Sequence, residues 1–197
     1  MNNESNAIFS SVIVAIGTIL AAIGASPLNF IKSNLREDLG LWGNVLQAGG
    51  NGLQAVVVQG NIIRSIGKEF QAIGNVTVIY GLVIELDKQS AKKIFITGNL
   101  IQALGGFINF GHGIELNPFP GHSENVIGNL LQSIGNSLQA IGGKYELEEN
   151  GNTDKDYIKH TNGETLIISG SWIQAIGSVF SVIGTIKQET QQKLEVS

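Results

Sequence analysis

Residues 128–143 read GNLLQSIGNSLQAIGG, with glycine returning at 128, 135 and 142, so the stretch is built on a seven-residue unit, Gly-Asn-x-Leu-Gln-Ala-Ile. Its apolar residues Leu131, Ile134, Leu138 and Ile141 are spaced by three, four and three, which is the stripe of an α-helix and not the alternation of a strand. Leu, Gln and Ala also favour helix. The unit recurs from Trp42 (WGNVLQAGGNGLQAV), Gly60 (GNIIRSIGKEFQAIG), Gly98 (GNLIQALGGFINFG) and Gly170 (GSWIQAIGSVFSVIG), and in weaker form from Ser10 (SSVIVAIGTILAAIG). Six blocks of about three heptads predict six helices of roughly 30 Å. Loops are expected near 25–35, 57–60, 87–90, 112–120 and 144–162. The fold class expected is all-α, a closely packed antiparallel bundle forming one helical-repeat domain over residues 1–197.

Glycine inside a helix costs about 1 kcal/mol relative to alanine, so a glycine in nearly every heptad implies a compensating close approach of helices. The expected contact points are Gly17, Gly24, Gly43, Gly50, Gly60, Gly67, Gly74, Gly98 and Gly105 in the first four blocks, and Gly128, Gly135, Gly142, Gly170, Gly177 and Gly184 in the last two. With Leu at heptad position a and Ile at d as the seam, glycine falls at e, beside it. Positions b, c and f then face outward. They hold Asn44, Gln47, Asn99, Gln102, Asn129, Gln132, Asn136, Gln139 and Gln174 where a free-standing bundle carries Glu and Lys. Trp42 and Trp172 fall at d and g; both read as packing residues, Trp172 also as an assembly contact at the seam's edge.

Only 12 Lys+Arg and 16 Asp+Glu serve 197 residues, whereas Asn and Gln together number 30. An uncharged amide face does not repel its own copies. The expected function is therefore structural: a self-assembling homo-oligomer, filament or lattice with itself as partner. Lys and Arg form no run that would neutralise phosphates in series, which argues against nucleic acid as a partner. The absence of cysteine removes disulfides, thiolate metal sites and thiol nucleophiles. No basic residue precedes the first apolar run, so the start does not read as a secretory signal, and synthesis in the cytoplasm is expected.

The rival is a polytopic membrane protein packed by glycine zippers. Residues 5–31, 39–63, 94–114, 125–143 and 165–186 are each free of Asp, Glu, Lys and Arg and long enough to cross a bilayer. Amides directed outward at b and f would meet lipid, however, and on that phasing the membrane is the lesser expectation.

Little else carries chemistry. His112, Glu115, His122 and Glu124 match no metal-ligand motif, and no metal or cofactor is expected. Asn150, Asn152, Asp154 and Asp156 alternate like Ca²⁺ ligands, but Lys155 and Thr161 stand where an EF-hand needs Gly and Glu. A solvated turn is expected at 148–156, with loose Ca²⁺ binding as the alternative. Asn150-Gly151 also fits a small β-hairpin, against helix continuing to about Glu149. No nucleophile-base arrangement or phosphate-binding loop is recognisable, so an enzyme is not expected. Glycine-tight seams argue against a ligand cavity.

The units GNLLQSIGNSLQAIGG, WGNVLQAGGNGLQAV and GSWIQAIGSVFSVIG, with the opening MNNESNAIFSSVIVAIGTILAAIG, resemble a family of Gly-Asn/Leu-Gln-Ala-Ile-Gly repetitive proteins of spore-forming bacilli. The resemblance covers most of the chain. It implies a bacterial origin and a spore-related context, and carries over no functional residues.

Overall fold

The computed structural model describes residues 3–58, 60–149 and 157–196. They form six α-helices: α1 (Asn3–Ala25), α2 (Ser33–Val57), α3 (Ile62–Val83), α4 (Lys88–Glu115), α5 (His122–Glu149) and α6 (Tyr157–Val196). Local chemistry sets several of the boundaries. Pro27 follows the end of α1, and Pro118 and Pro120 lie between α4 and α5. Asn61 and Asp87 cap α3 and α4, their side chains accepting from the backbone N–H of Arg64 and of Gln89 and Ser90 respectively. The proposed Asn150-Gly151 hairpin and most of the acidic 148–156 loop lie outside the described residues, while α5 continues to Glu149.

Each helix packs on its neighbours in sequence, and α6 returns to α1, so six alternating helices close into a ring. The tightest contacts join α1 to α2, α3 to α4 and α5 to α6, giving three hairpins around one axis. Glycines make these hairpins. A Cβ at Gly17 would lie 2.7 Å from the Gly43 carbonyl oxygen and one at Gly43 2.6 Å from that of Gly17; Gly74 with Gly98 and Gly135 with Gly170 repeat the reciprocal contact. Of the fifteen glycines expected at close contacts, fourteen meet a neighbouring helix within 3.0 Å of an added Cβ. Gly60 is the exception, placed in the α2–α3 turn with open space around it.

The phasing of the stripe is corrected. The Leu/Ile stripe is not the seam between helices: Ile134 is 37% and Ile141 46% exposed, and Ile73, Leu104, Ile176 and Ile183 also face outward. Among the described residues the buried hydrophobics are alanines and two valines, Val14 and Val78. The interior is instead polar. Glycine itself is the seam, because only its missing side chain lets paired backbones touch, and this rotates the bulky apolar stripe to the outside.

Candidate functional site

The inner wall follows a two-position rule. The residue after a contact glycine points inward: Thr18, Asn51, Lys68, Asn75, Asn99, Asn136, Ser171 and Ser178 are all buried. So does the fourth residue after it, giving buried Gln47, Gln71, Gln102, Gln132, Gln139 and Gln174. One and four residues along a helix put both side chains on one side of the glycine ridge. Of the expected assembly face, seven residues (Gln47, Asn99, Gln102, Gln132, Asn136, Gln139 and Gln174) are thus sealed inside the ring. Asn44 and Asn129 are half-buried and bonded to backbone carbonyls one turn earlier, Gly40 and Asn125.

These amides bond across the ring. Gln174 Nε2 donates to Gln47 Oε1 at 2.9 Å and to Gln102 Oε1 at 3.3 Å, while its own Oε1 accepts from Gln139 Nε2 at 2.9 Å. One side chain of α6 therefore holds α2, α4 and α5. A second path runs from Gln71 Nε2 to Gln132 Oε1 (3.3 Å) and from Gln132 Nε2 to Ser181 Oγ (3.0 Å). Thr18 and Ser178 hydroxyls meet at 2.6 Å and join α1 to α6. This network crosses the middle of the ring.

At the end that carries the α2–α3 and α4–α5 turns the interior opens into a cavity of about 480 Å³, contrary to the expectation that tight seams leave no such space. Arg64 and Lys68 of α3, Gln54 of α2, Ala7 of α1 and Gln188 and Glu189 of α6 contribute to its wall. Arg64 also lines a smaller space beside Asn109, His112 and His122. The histidines have ordinary neighbours: His112 Nε2 is 2.6 Å from Asn61 Nδ2, and His122 stacks edge-on against Phe119. Nothing in the sequence marks Arg64 or Glu189 as neighbours, but Lys68 stands in the heptad place that Asn holds in GNLLQSI, and that phase places it on the inner wall.

The outer surface is the complement of the inner one. Phe9, Ile16, Val76, Leu100, Phe107 and Val179 are exposed, as are the stripe residues above. Trp42 is 59% exposed and Trp172 40%, so neither indole is a core residue, but Trp172 Nε1 donates to Ser26 Oγ at 3.0 Å and ties α6 to the α1–α2 turn. Trp42, Tyr80, Tyr145 and Trp172 all lie toward the end formed by the α1–α2 and α3–α4 turns, each within about two turns of a charged residue. That same end carries Lys32, Arg36, Lys88, Lys92, Lys93 and Lys144, with Lys92 bonded to Glu146. The other end has Lys187, paired with Glu124, and Lys193, besides the two cations of the cavity.

Three helical stretches, Ser5–Ala25, Lys88–Glu115 and Asn162–Glu195, are long and apolar enough to cross a membrane by length and composition. Residues 5–182 match a family of unknown function, DUF6944. No curated protein and no solved structure matches the chain.

Proposed function

We propose that this chain, which belongs to the DUF6944 family, is a polytopic membrane protein: a lipid-embedded ring of six helices, zipped by glycine and cross-linked through its interior by amides. The observation that carries the reading is the inversion of polarity, with Ile, Leu, Phe and Trp on the outside and Asn, Gln and Ser within. In water such a surface forfeits the hydrophobic contribution that normally drives folding; in lipid it is the natural exterior. Small residues at close contacts and interhelical polar bonds are the forces that remain available there. The objection that outward amides would meet lipid falls away once those amides point inward.

The rims support the same reading. Exposed Trp and Tyr gather at one end with six basic residues, as expected of an interfacial belt on the side retained in the cytoplasm. The proposed orientation places the α1–α2 and α3–α4 turns inside the cell and the α2–α3 and α4–α5 turns across the membrane. From the resemblance of the repeat units alone, the proposal extends to a membrane of a spore-forming bacillus.

Homo-assembly is the second reading, now carried by the same exposed apolar face instead of the amides; in water, further copies would have to cover it. Fractionation separates the two. The chain is expected in the membrane pellet after alkaline carbonate washing, with release only by detergent. Recovery as a large detergent-free particle would favour assembly and overturn the membrane reading. Because the chain lacks cysteine, single reporters are clean: Leu86→Cys should be shielded from an impermeant maleimide in intact cells, and Asn117→Cys should react.

A further inference from the structure

We infer that the cavity at the α2–α3 end is a binding site for a phosphate group. Lys68 is only 7% exposed, it lines the cavity, and among the described residues no carboxylate or hydrogen-bond acceptor is paired with it. A buried ammonium without a counter-charge is strongly disfavoured: the amine sheds its proton or takes up an anion, and an anion in the cavity is what holds it charged. Arg64 stands one helical turn earlier on the same wall and doubles the positive charge. Among the described residues of the wall the carboxylate is Glu189. Two basic side chains thus share the described wall with one acidic one, an excess that suits an anionic occupant.

The donor set favours phosphate over a carboxylate. Arg64 offers a planar fork, Lys68 a point charge, and Gln54, Gln188 and Gln192 add amide N–H groups, more donors than a two-oxygen group engages. The volume, about 480 Å³, exceeds what a bare ion fills, and Ala7, Val57 and Val58 supply an apolar section of wall. The occupant is thus a phosphate carrying an organic remainder, whether a soluble phosphate ester or the headgroup of an acidic lipid. Lys68 and Arg64 line the interior and not the outer face on which the membrane reading rests, so this inference and that reading fail separately.

The test uses full-length protein in an uncharged detergent, with thermal stability and calorimetric titration as readouts. Inorganic phosphate and phosphatidic acid in mixed micelles are the probes; chloride and diacylglycerol are the controls. The wild-type chain should respond to at least one phosphate probe and to neither control. A response to inorganic phosphate assigns a soluble occupant, and a response to phosphatidic acid alone assigns a lipid headgroup. Lys68→Met should weaken binding at least about tenfold, Lys68→Arg should largely restore it, and Lys187→Met, an exposed cation at the same end, should change nothing. If Lys68→Met does not fold, Arg64→Gln replaces it, with weakened binding expected. Absence of any phosphate response, or unchanged affinity in both cavity variants, would overturn the site.

Discussion

The α1–α2 and α3–α4 hairpins share a backbone and differ in what their first helices place inside it, since α2 buries the amides Gln47 and Asn51 much as α3 and α4 bury theirs. Both are closed by reciprocal glycines, Gly17 with Gly43 and Gly74 with Gly98. Among the described side chains of α1 the buried polar groups are Ser10, Ser11 and Thr18, and each hydroxyl bonds a carbonyl of its own helix three residues back. In α3 and α4 they include Gln71 and Gln102, long enough to reach other helices, as Gln71 does to Gln132 and Gln102 to Gln174, while the shorter Asn75 and Asn99 bond carbonyls of their own helix four residues back. Packing is thus assigned to one residue type and cross-linking to another, and the two are separable by mutation.

The largest expected effect falls on what the hairpins have in common. A side chain at Gly17 or Gly74 meets backbone, not a movable side-chain end alone: an added Cβ lies 2.7 Å from the Gly43 oxygen in the first and 2.6 Å from the Gly98 oxygen in the second. Gly17→Val and Gly74→Val should therefore both abolish a monodisperse fold in detergent, a loss beyond the ~1–3 kcal/mol usual for overpacking because neither backbone can retreat. Gly49→Ala, where nothing lies within 4 Å, should instead gain about 0.5–1 kcal/mol from helix propensity. Equal tolerance of valine at Gly74 and alanine at Gly49 would show that the close approach is not what holds the hairpins.

The contrast also shows what a single sequence can and cannot say. The period, the six helices and fourteen of the close-contact glycines were legible, because each depends on spacing along one chain; the turns were placed less closely, since residues 88–90, 144–149 and 157–162, expected in loops, are helical. The sign of the stripe was not. Leu131, Ile134, Leu138 and Ile141 make the same helical face whether they meet a core or a bilayer, and a core on that face directs Gln132 and Gln139 outward. The information lay in the glycines: if Gly135 is where a neighbour's backbone touches, then Asn136 and Gln139 flank that contact and Ile134 points away from it. The cavity was illegible for a different reason, since Arg64 and Glu189 come together only when the ring closes.

An intermediate effect is expected where the two hairpins meet. Gln174 bonds Gln47 of the first and Gln102 of the second, besides accepting from Gln139. Gln174→Leu strands all three partners, and at roughly 0.6 kcal/mol per bond in a lipid-embedded fold the loss is about 2 kcal/mol. Thr18→Val removes one cross-ring bond, to Ser178, and should cost about a third as much. Unfolding titrations in mixed micelles measure both. A Thr18→Val penalty as large as that of Gln174→Leu would mean that α1 is cross-linked as tightly as the amide-bearing helices, and the contrast between the hairpins would be gone.

The smallest effect separates the hairpins at their turns. The α2 start has Lys32 at its N-cap, with no side-chain cap bond, and Arg36 Nη1 reaches back to the Ser26 carbonyl. The α4 start is capped by Asp87, whose carboxylate is held below its usual range by hydrogen bonds from Ser90, side chain before backbone, and from the Gln89 N–H. A carboxyl with a depressed pKa in the folded chain contributes stability that is complete above its unfolded value near 4 and is lost as pH falls through the lower folded value. Amide-exchange protection of Gln89 and Ser90 should therefore decline below about pH 4 in the wild-type chain. In Asp87→Asn, which keeps an acceptor but cannot titrate, that decline should disappear. The first turn of α2 has no capping carboxylate to protonate, so its protection should lack an acid step that Asp87→Asn removes. An acid step at Gln89 that survives in Asp87→Asn would move its origin from the cap to the packing of α4 against α3, and the two turns would then differ in sequence but not in kind.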